Sequence, residues 1–204
     1  MELCIRPGRT EDLPTLIELQ NLAIQELCCK DYDSRQLTAI IKEQSRARQT
    51  SKEEWFIAEV NGEIIGFAAI SKNQPEVGGI YVHPNWARQG IGTQLMATLE
   101  QTARDKQFHS LTVLSSLTAI AFYERQGYCK ERQSGFWIDG TIWIPCLLME
   151  KQLVSSISKK RSPAKTWVWW LLLFGLAGLA MCYVEDRDRA LRQLPAQPAY
   201  HESK

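Results

Sequence analysis

The order of apolar and polar residues along the chain predicts short helices interleaved with short strands. Apolar residues at helical spacing follow the polar group at residues 10–12 and predict a first helix over 13–27. A second, shorter amphipathic helix begins at Leu37 and fades in the polar run 44–52. The polar break at residues 30–34 is a candidate substrate loop.

A tight hairpin comes after these helices. Residues 55–60 and 63–70 are rich in the apolar residues of strands, and Asn61-Gly62 between them is typical of a two-residue turn. The pattern therefore predicts an antiparallel pair. The later elements are a strand over 77–82, a helix over 91–103, a strand over 111–114, a short helix over 119–126, and strands over 128–132 and 141–151.

This order of elements indicates the fold class. Hairpins occur beside one strand-helix-strand crossover, so we expect an α/β domain with a mixed, mostly antiparallel sheet flanked by helices. The domain would occupy residues 1–151. Residues 134–140 would form a second loop near the acceptor.

The C-terminal part of the chain holds one long uncharged stretch, from Trp167 to Val184. As a helix it would span about 27 Å, close to the hydrocarbon thickness of a bilayer. Aromatic residues lie at both of its ends, as in membrane-spanning helices. We predict one transmembrane helix here, with a basic linker over 152–166 and a short polar tail over 185–204. A buried core helix is the alternative.

The two ends of the chain suggest a location. The first 13 residues lack the apolar region of a secretory signal, so we expect the main domain to stay in the cytoplasm as part of a single-pass membrane protein. The basic residues of the linker give a thin positive-inside bias. They could also form a solvated spacer or adhere weakly to anionic lipids.

Composition narrows the function classes further. The 204 residues are 45% hydrophobic and carry a formal net charge of +1, which excludes a disordered or collagen-like chain and argues against nucleic-acid binding. The six cysteines lack the spacing of a metal site, so we expect reduced thiols and no metal.

The glycine-rich turn at residues 88–93 leads directly into a predicted helix. Such a turn presents backbone N–H groups and the positive end of the helix dipole, which suit a phosphate or pyrophosphate. Leu95 stands where a dinucleotide fingerprint needs its third glycine, and no Gly-Lys-Ser/Thr follows. A turn without a ligand remains the alternative.

Two motifs carry a resemblance to a known family. YVHPNWARQGIGTQL at residues 81–95 and SLTAIAFYERQGY at 116–128 resemble the GNAT superfamily of acetyl-CoA-dependent N-acetyltransferases. The resemblance extends over roughly residues 1–151. It implies acetyl-CoA as co-substrate and direct transfer of its acetyl group to an amine acceptor, with no metal.

The resemblance also implies which residues bind the co-substrate. Backbone amides of the turn would hold its pyrophosphate, and a strand would contact its pantetheine arm. The sequence departs from the family pattern at Ala87 and Ser116. Ala87 would weaken one side-chain contact to the pyrophosphate, and Ser116 would alter one hydrogen bond to the pantetheine or adenosine side of the co-substrate. The implied binding residues are Arg88, Gln89, Gly90, Ile91, Gly92 and Thr93 in the turn, Ile80, Tyr81 and Val82 in the strand, and Ser116.

The expected catalytic residues lie in the same two motifs or beside them. Tyr123 matches the family tyrosine that protonates the departing thiolate; its proton would have to be loosened, or it would stabilise the thiolate by hydrogen bonding. Glu76 is the candidate base and His83 the second choice, while strand amides near Ile80 could polarise the thioester carbonyl. Each of these side chains has a structural alternative. Tyr123 could be a packing residue, Glu76 a solvated loop residue and His83 the end of a strand.

Taken together, these features predict a membrane-anchored N-acetyltransferase. One rival is a non-catalytic, membrane-tethered acyl-CoA-binding or regulatory module, and another is a structural membrane adaptor. The acceptor stays open among a small amine, a peptide N-terminus and a lysine. The oligomeric state is not predicted.

Overall fold

A computed structural model describes residues 2–50 and 52–153. Its strands are β1 (Leu3–Pro7), β2 (Glu53–Val60), β3 (Glu63–Ser71), β4 (Glu76–Val82), β5 (Ser110–Ser116), β6 (Cys129–Ile138) and β7 (Ile142–Gln152). Its α-helices are α1 (Leu13–Leu27), α2 (Ser34–Thr50), α3 (Ile91–Asp105) and α4 (Ile120–Arg125). Single 3-10 turns precede α1, α3 and α4 at Thr10–Asp12, Pro84–Trp86 and Leu117–Ala119.

The seven strands form one sheet in the order β1-β2-β3-β4-β5-β7-β6. Neighbouring strands are antiparallel except for β4 and β5, which are parallel and joined by α3. This arrangement confirms the predicted mixed, mostly antiparallel sheet flanked by helices. The Asn61-Gly62 hairpin is also confirmed, with both residues at positive φ (53° and 81°), as a type I′ turn requires.

The helices cover the two faces of the sheet. Leu95 and Leu99 of α3 are fully buried in the larger core, which also holds Tyr123 of α4. Leu16 of α1 packs with Phe67 of β3 on the opposite face. Helix α2 lies beside α1 and contacts β6 and β7. The faces stay distinct because successive side chains of a strand point to opposite sides.

Helix α2 is longer than the apolar pattern indicates. The pattern predicts a helix that begins at Leu37, is shorter than the first and fades within the polar run 44–52. Helix α2 instead begins at Ser34 and continues through most of that run to Thr50, so its 17 residues exceed the 15 of α1 and the predicted shorter length is wrong. The polar C-terminal half of α2 carries a buried side chain, since Arg48 is 3% exposed. Its Nε and Nη2 donate to Gln20 Oε1 of α1, at 3.1 and 3.0 Å. A pattern of apolar residues cannot predict this packing, because it counts arginine as a surface residue.

Strand β6 also differs from the prediction. The loop expected over 134–140 is mostly strand, since β6 continues to Ile138 and the turn is confined to residues 139–141. The Trp143 ring of β7 covers Gly135, where any Cβ would collide with it. The cross-strand ring thus occupies the space that a side chain would fill, and glycine fits within the strand for that reason.

The predicted transmembrane helix over 167–184 and polar tail over 185–204 lie outside the described residues, as does the linker beyond Leu153. Among residues 2–50 and 52–153, no helix is long and apolar enough to cross a membrane. The last described residue, Leu153, packs on the domain: it is 9% exposed and its N–H donates to His109 O at 2.8 Å.

Candidate active site

A fork between β4 and β5 opens the middle of the sheet. The two strands share only the pairs Glu76↔Thr112 and Val77↔Val113. Beyond them, β4 stays paired to β3 as far as Val82, and β5 stays paired to β7 as far as Ser116. Each strand therefore follows its outer neighbour, and the strands separate.

The fork exposes backbone groups of β4. His83 N donates to Ile65 O at 2.8 Å, which fixes the side of the strand that faces β3. Because backbone groups alternate in direction along a strand, those of Ile80 and Val82 point away from β3, into the fork. Polar backbone groups inside a protein require partners, so the fork suits a ligand that donates and accepts hydrogen bonds.

A bulge lies where the two strands begin to separate. Ala69 pairs with Gly79 and Ile70 pairs with Val77, so Gly78 is an extra residue in β4. Bulges bend a strand and increase its local twist, and this one therefore helps to turn β4 away from β5.

A cavity of about 350 Å³ occupies the fork. Its walls come from both faces of the sheet, with Ala119 and Tyr123 from one and Ile24, Cys28 and Ile40 from the other. Strand residues from Glu76 to Tyr81 and from Val113 to Ser116 complete the middle. The remaining lining residues are Tyr32, Gln44, Glu53, Phe136, Ile144 and Cys146.

Tyr123, the expected acid, lies at this cavity. It is 4% exposed and packs edge-on against Tyr128, with ring centroids 5.5 Å apart. Burial raises the pKa of Tyr123 above its ordinary value of 10.0. Of the two alternatives for Tyr123, the raised pKa argues against a loosened proton and favours a phenol that stays protonated and donates a hydrogen bond.

The glycine-rich turn forms the N-terminus of α3, as predicted. Gly90 adopts φ +84° just before the helix, and Arg88 also has positive φ. Gln94 N donates to Gly90 O as the first helical bond, so the N–H groups of the preceding first turn have no carbonyl within α3. These groups and the dipole of a 15-residue helix converge on the turn.

Two side chains of the turn have local partners. Gln89 Nε2 donates to Asn85 O at 3.1 Å, and Thr93 Oγ1 accepts from Gln126 Nε2 at 3.2 Å. Gly92 is tightly surrounded, because a Cβ there would lie 3.3 Å from Phe122 and 3.9 Å from Val82. Residues 88–93 do not line the cavity, but through Val82 the turn adjoins the end of β4.

The predicted binding residues of the strands differ in which of their groups face the fork. Ile80 and Val82 offer their backbone to the fork, but the backbone of Tyr81 faces β3 and its ring stacks on Phe67, with centroids 5.1 Å apart. Tyr81 therefore lines the cavity with its side chain and is not a backbone partner for the ligand. Ser116 lines the cavity at the end of β5.

The two candidate bases lie in different surroundings. Glu76 is exposed at the start of β4 and lines the cavity. His83 is outside the cavity lining, and its Nδ1 accepts from Asn85 N at 3.2 Å. His83 thus caps the turn before α3, which is a structural role.

Tyr32 is a site residue that the sequence pattern missed. Its hydroxyl donates to Pro145 O and accepts from Leu117 N, both at 2.9 Å, and Thr118 Oγ1 donates to Asp31 at 2.6 Å. Each of the Tyr32 bonds contributes about 1 kcal/mol. The polar break predicted as a substrate loop therefore holds the segment that leads into α4 and Tyr123.

Two thiols also line the cavity. Burial raises the pKa of Cys28, and it raises that of Cys146 to about 11. A raised pKa keeps both thiols protonated near neutral pH, so Cys28 and Cys146 are poor nucleophiles. The five cysteines of the described residues are free, and no group of metal-ligating side chains occurs among those residues.

Comparison with known proteins identifies the family. The model of the acetyltransferase (GNAT) family matches residues 19–128, more than half of the chain, and includes the fork, the turn and Tyr123. The chain belongs to this family. It is a GNAT-type N-acetyltransferase, and the fold and the enzyme class expected from the two motifs are confirmed.

Individual relatives agree with this assignment. The acetyltransferase is 26% identical over 131 residues to the uncharacterized N-acetyltransferase YafP of Escherichia coli K12, covering 63% of this chain and 83% of YafP. A GCN5-related N-acetyltransferase from Rhodopseudomonas palustris superposes with a TM-score of 0.68 at 27% identity, covering 74% of this chain and 96% of that one. The PaiA N-acetyltransferase of Thermoplasma acidophilum, solved with coenzyme A, shares the fold with a TM-score of 0.60 at 21% identity, covering 74% and 99%.

Proposed function

We propose that this acetyltransferase transfers an acetyl group from acetyl-CoA directly to an amine, with both substrates meeting in the fork. The observation that carries the proposal is the separation of β4 and β5. It leaves the backbone of Ile80 at the cavity and that of Val82 in the fork, next to the N-terminus of α3. The complex of the Thermoplasma relative with coenzyme A supports the choice of donor.

The proposed donor contacts follow the geometry of the fork and turn. The amides of residues 88–93 hold the pyrophosphate, since they lie at the positive end of α3. The backbone of Ile80 and Val82 binds the pantetheine arm as an added strand would, and Ser116 faces it from β5. Gly92 leaves room for the phosphates because it has no side chain.

In the proposed reaction, residues of the chain have three roles. A backbone N–H near Ile80 donates to the thioester carbonyl while the amine nitrogen attacks its carbon. The C–S bond then breaks, and the thiolate leaves with the bonding electrons as a hydrogen bond from Tyr123 stabilises it. Glu76, which is exposed and lines the cavity, takes the proton of the attacking amine through water. The firmly held Tyr123 proton suits donation of a hydrogen bond.

A substitution in the turn tests where the donor binds. Gly92→Glu should abolish acetyl-CoA binding, because a carboxylate would repel the pyrophosphate and fill the space beside Phe122. Ala97→Glu adds the same charge at an exposed position of α3 and should bind normally. Calorimetric titration of both variants measures the difference. Normal affinity in a folded Gly92→Glu protein would place the donor elsewhere, and binding by the wild type without acetylation of any amine would favour a binding module.

A second substitution tests the thiolate partner. Tyr123→Phe should lower kcat about tenfold or more and leave acetyl-CoA affinity nearly unchanged, because the ring packing stays and only the hydroxyl is lost. Tyr128→Phe is the matched control: Tyr128 is also buried, but its hydroxyl donates to Met96 Sδ at 3.4 Å and the residue does not line the cavity. Equal turnover in the two variants would make Tyr123 a packing residue.

We also propose that residues 167–184 anchor the enzyme in a membrane with the catalytic domain in the cytoplasm. The support is the sequence alone: a long uncharged stretch with aromatic residues at both ends. The full chain should resist carbonate extraction, whereas Leu172→Arg combined with Gly175→Arg should release it, since each arginine costs about 3 kcal/mol in the bilayer centre. Carbonate release of the wild type, or protease digestion of the main domain from the outer face, would contradict the proposal.

A further inference from the structure

We propose that the acceptor is a primary amine carried on an apolar body and that Glu53 holds its nitrogen at the thioester. The inference rests on the proposed acetyl transfer and names the acceptor class for it. Three observations support it: the position of the Glu53 carboxylate, the network that fixes that carboxylate, and the apolar wall across the fork.

The Glu53 carboxylate lies on the backbone of β4. Although Glu53 belongs to β2, its Oε1 occupies the place where a Cβ on Gly78 would stand, and the same Cβ would lie 3.3 Å from Ala69 of β3. The side chain thus crosses over β3 through a gap left by two small residues. Gly78 has to be glycine for the carboxylate to reach this position.

The distance along β4 favours Glu53 over Glu76 as the group that orients the amine. Gly78 lies two residues from Ile80, about 7 Å along a strand, and Glu76 lies four residues away, about 13 Å. An amine bound at Gly78 can therefore reach a thioester held at Ile80. Exposed Glu76 remains suited to passing the proton to water.

A buried network fixes the Glu53 carboxylate. Its Oε2 pairs with Nη1 of Arg48, and Oε1 faces Gly78. The Arg48 guanidinium is held by Gln20 Oε1 and lies over the rings of Phe67 and Tyr81, 5.3 and 5.7 Å from their centroids. A carboxylate held in this way offers a fixed point for an ammonium or amine group.

The opposite wall of the cavity is apolar. Phe136 of β6 and its cross-strand partner Ile144 of β7 lie beyond the fork from Glu53, because the sheet order puts β2 and β7 on opposite sides of it. Ile24 of α1 and Ile40 of α2 close the same face. A cavity of about 350 Å³ fits a small molecule or the end of a chain. An amine at one side and an apolar body at the other match these walls.

An alkylamine series tests the acceptor class. With full-length enzyme and saturating acetyl-CoA, kcat/KM measured by release of the free thiol should rise at least tenfold from ethylamine to hexylamine, because added methylenes are buried against the apolar wall. These amines have nearly the same basicity, so the series isolates the apolar body. Calorimetry without acetyl-CoA should show that hexylamine binds more tightly than ethylamine.

Phe136→Ala tests the wall. It should flatten the dependence of kcat/KM on chain length, because the longer amines lose their contact with the Phe136 ring. Trp137→Ala is the matched control, since Trp137 is the next residue of β6, is 40% exposed and does not line the cavity. The control should keep the full chain-length dependence.

Gly78→Ala tests the carboxylate without removing a charge. The new methyl group displaces the flexible end of Glu53, so KM for every amine should rise at least tenfold while acetyl-CoA affinity stays unchanged. Glu53→Gln should have the same effect, with thermal unfolding as a check that the fold tolerates the loss of the Glu53–Arg48 ion pair. Glu54→Gln is the control, because neighbouring Glu54 pairs with Lys106 and does not line the cavity.

Four outcomes would contradict these inferences, and they can be distinguished. If alkylamines are acetylated with no dependence on chain length, or if Gly78→Ala leaves KM unchanged, the acceptor inference fails alone. If alanyl or lysyl peptides are acetylated more efficiently than hexylamine, the acceptor is a polypeptide and the inference is wrong. If acetyl-CoA binds but no amine or peptide is acetylated, the proposed function fails and the inference fails with it.

Discussion

The site depends on how β4 and β5 divide their hydrogen bonds. The strands share two residue pairs and then separate, because β4 remains bonded to β3 and β5 to β7. A bulge at Gly78 increases the divergence. Backbone groups inside a sheet need partners, so an opening of this kind is favourable only where a ligand or water can bond to the exposed groups. The cavity, the place of Tyr123 in its lining and the proposed donor site all follow from this separation.

The fork also joins two chemically different faces of the sheet. One face supplies the N-terminus of α3 and the hydroxyl of Tyr123, which suit the anionic donor and its leaving thiolate. The opposite face supplies a fixed carboxylate and an apolar wall. In the proposed reaction, an amine would therefore approach the thioester from the side away from the phosphates. Tyr32 stabilises this arrangement, because its hydroxyl bonds both to the strand behind the cavity and to the turn before α4.

Local signals predicted the parts of the fold that depend on local structure. Asn61-Gly62 determines its own turn, and the glycine-rich turn before α3 needs only the start of the helix. The length of α2 and the position of the Glu53 carboxylate were missed because Arg48, Gln20, Glu53 and Gly78 come together from four separate elements. Tyr32 was missed for the same reason, since its partners are 85 and 113 residues away. A pattern of polar and apolar residues predicts local structure and cannot predict contacts between residues that are distant in sequence.

Amide hydrogen exchange of the full-length enzyme, with and without coenzyme A, tests the account most directly. The N–H groups of Ile80 and Val82 point into the fork and should exchange much more slowly once the ligand binds. The N–H of His83, which already donates to Ile65 O, is an internal reference and should change little. Slower exchange at Ile80 and Val82 is the predicted result. Unchanged exchange there under conditions where coenzyme A binds would show that the donor does not use the fork.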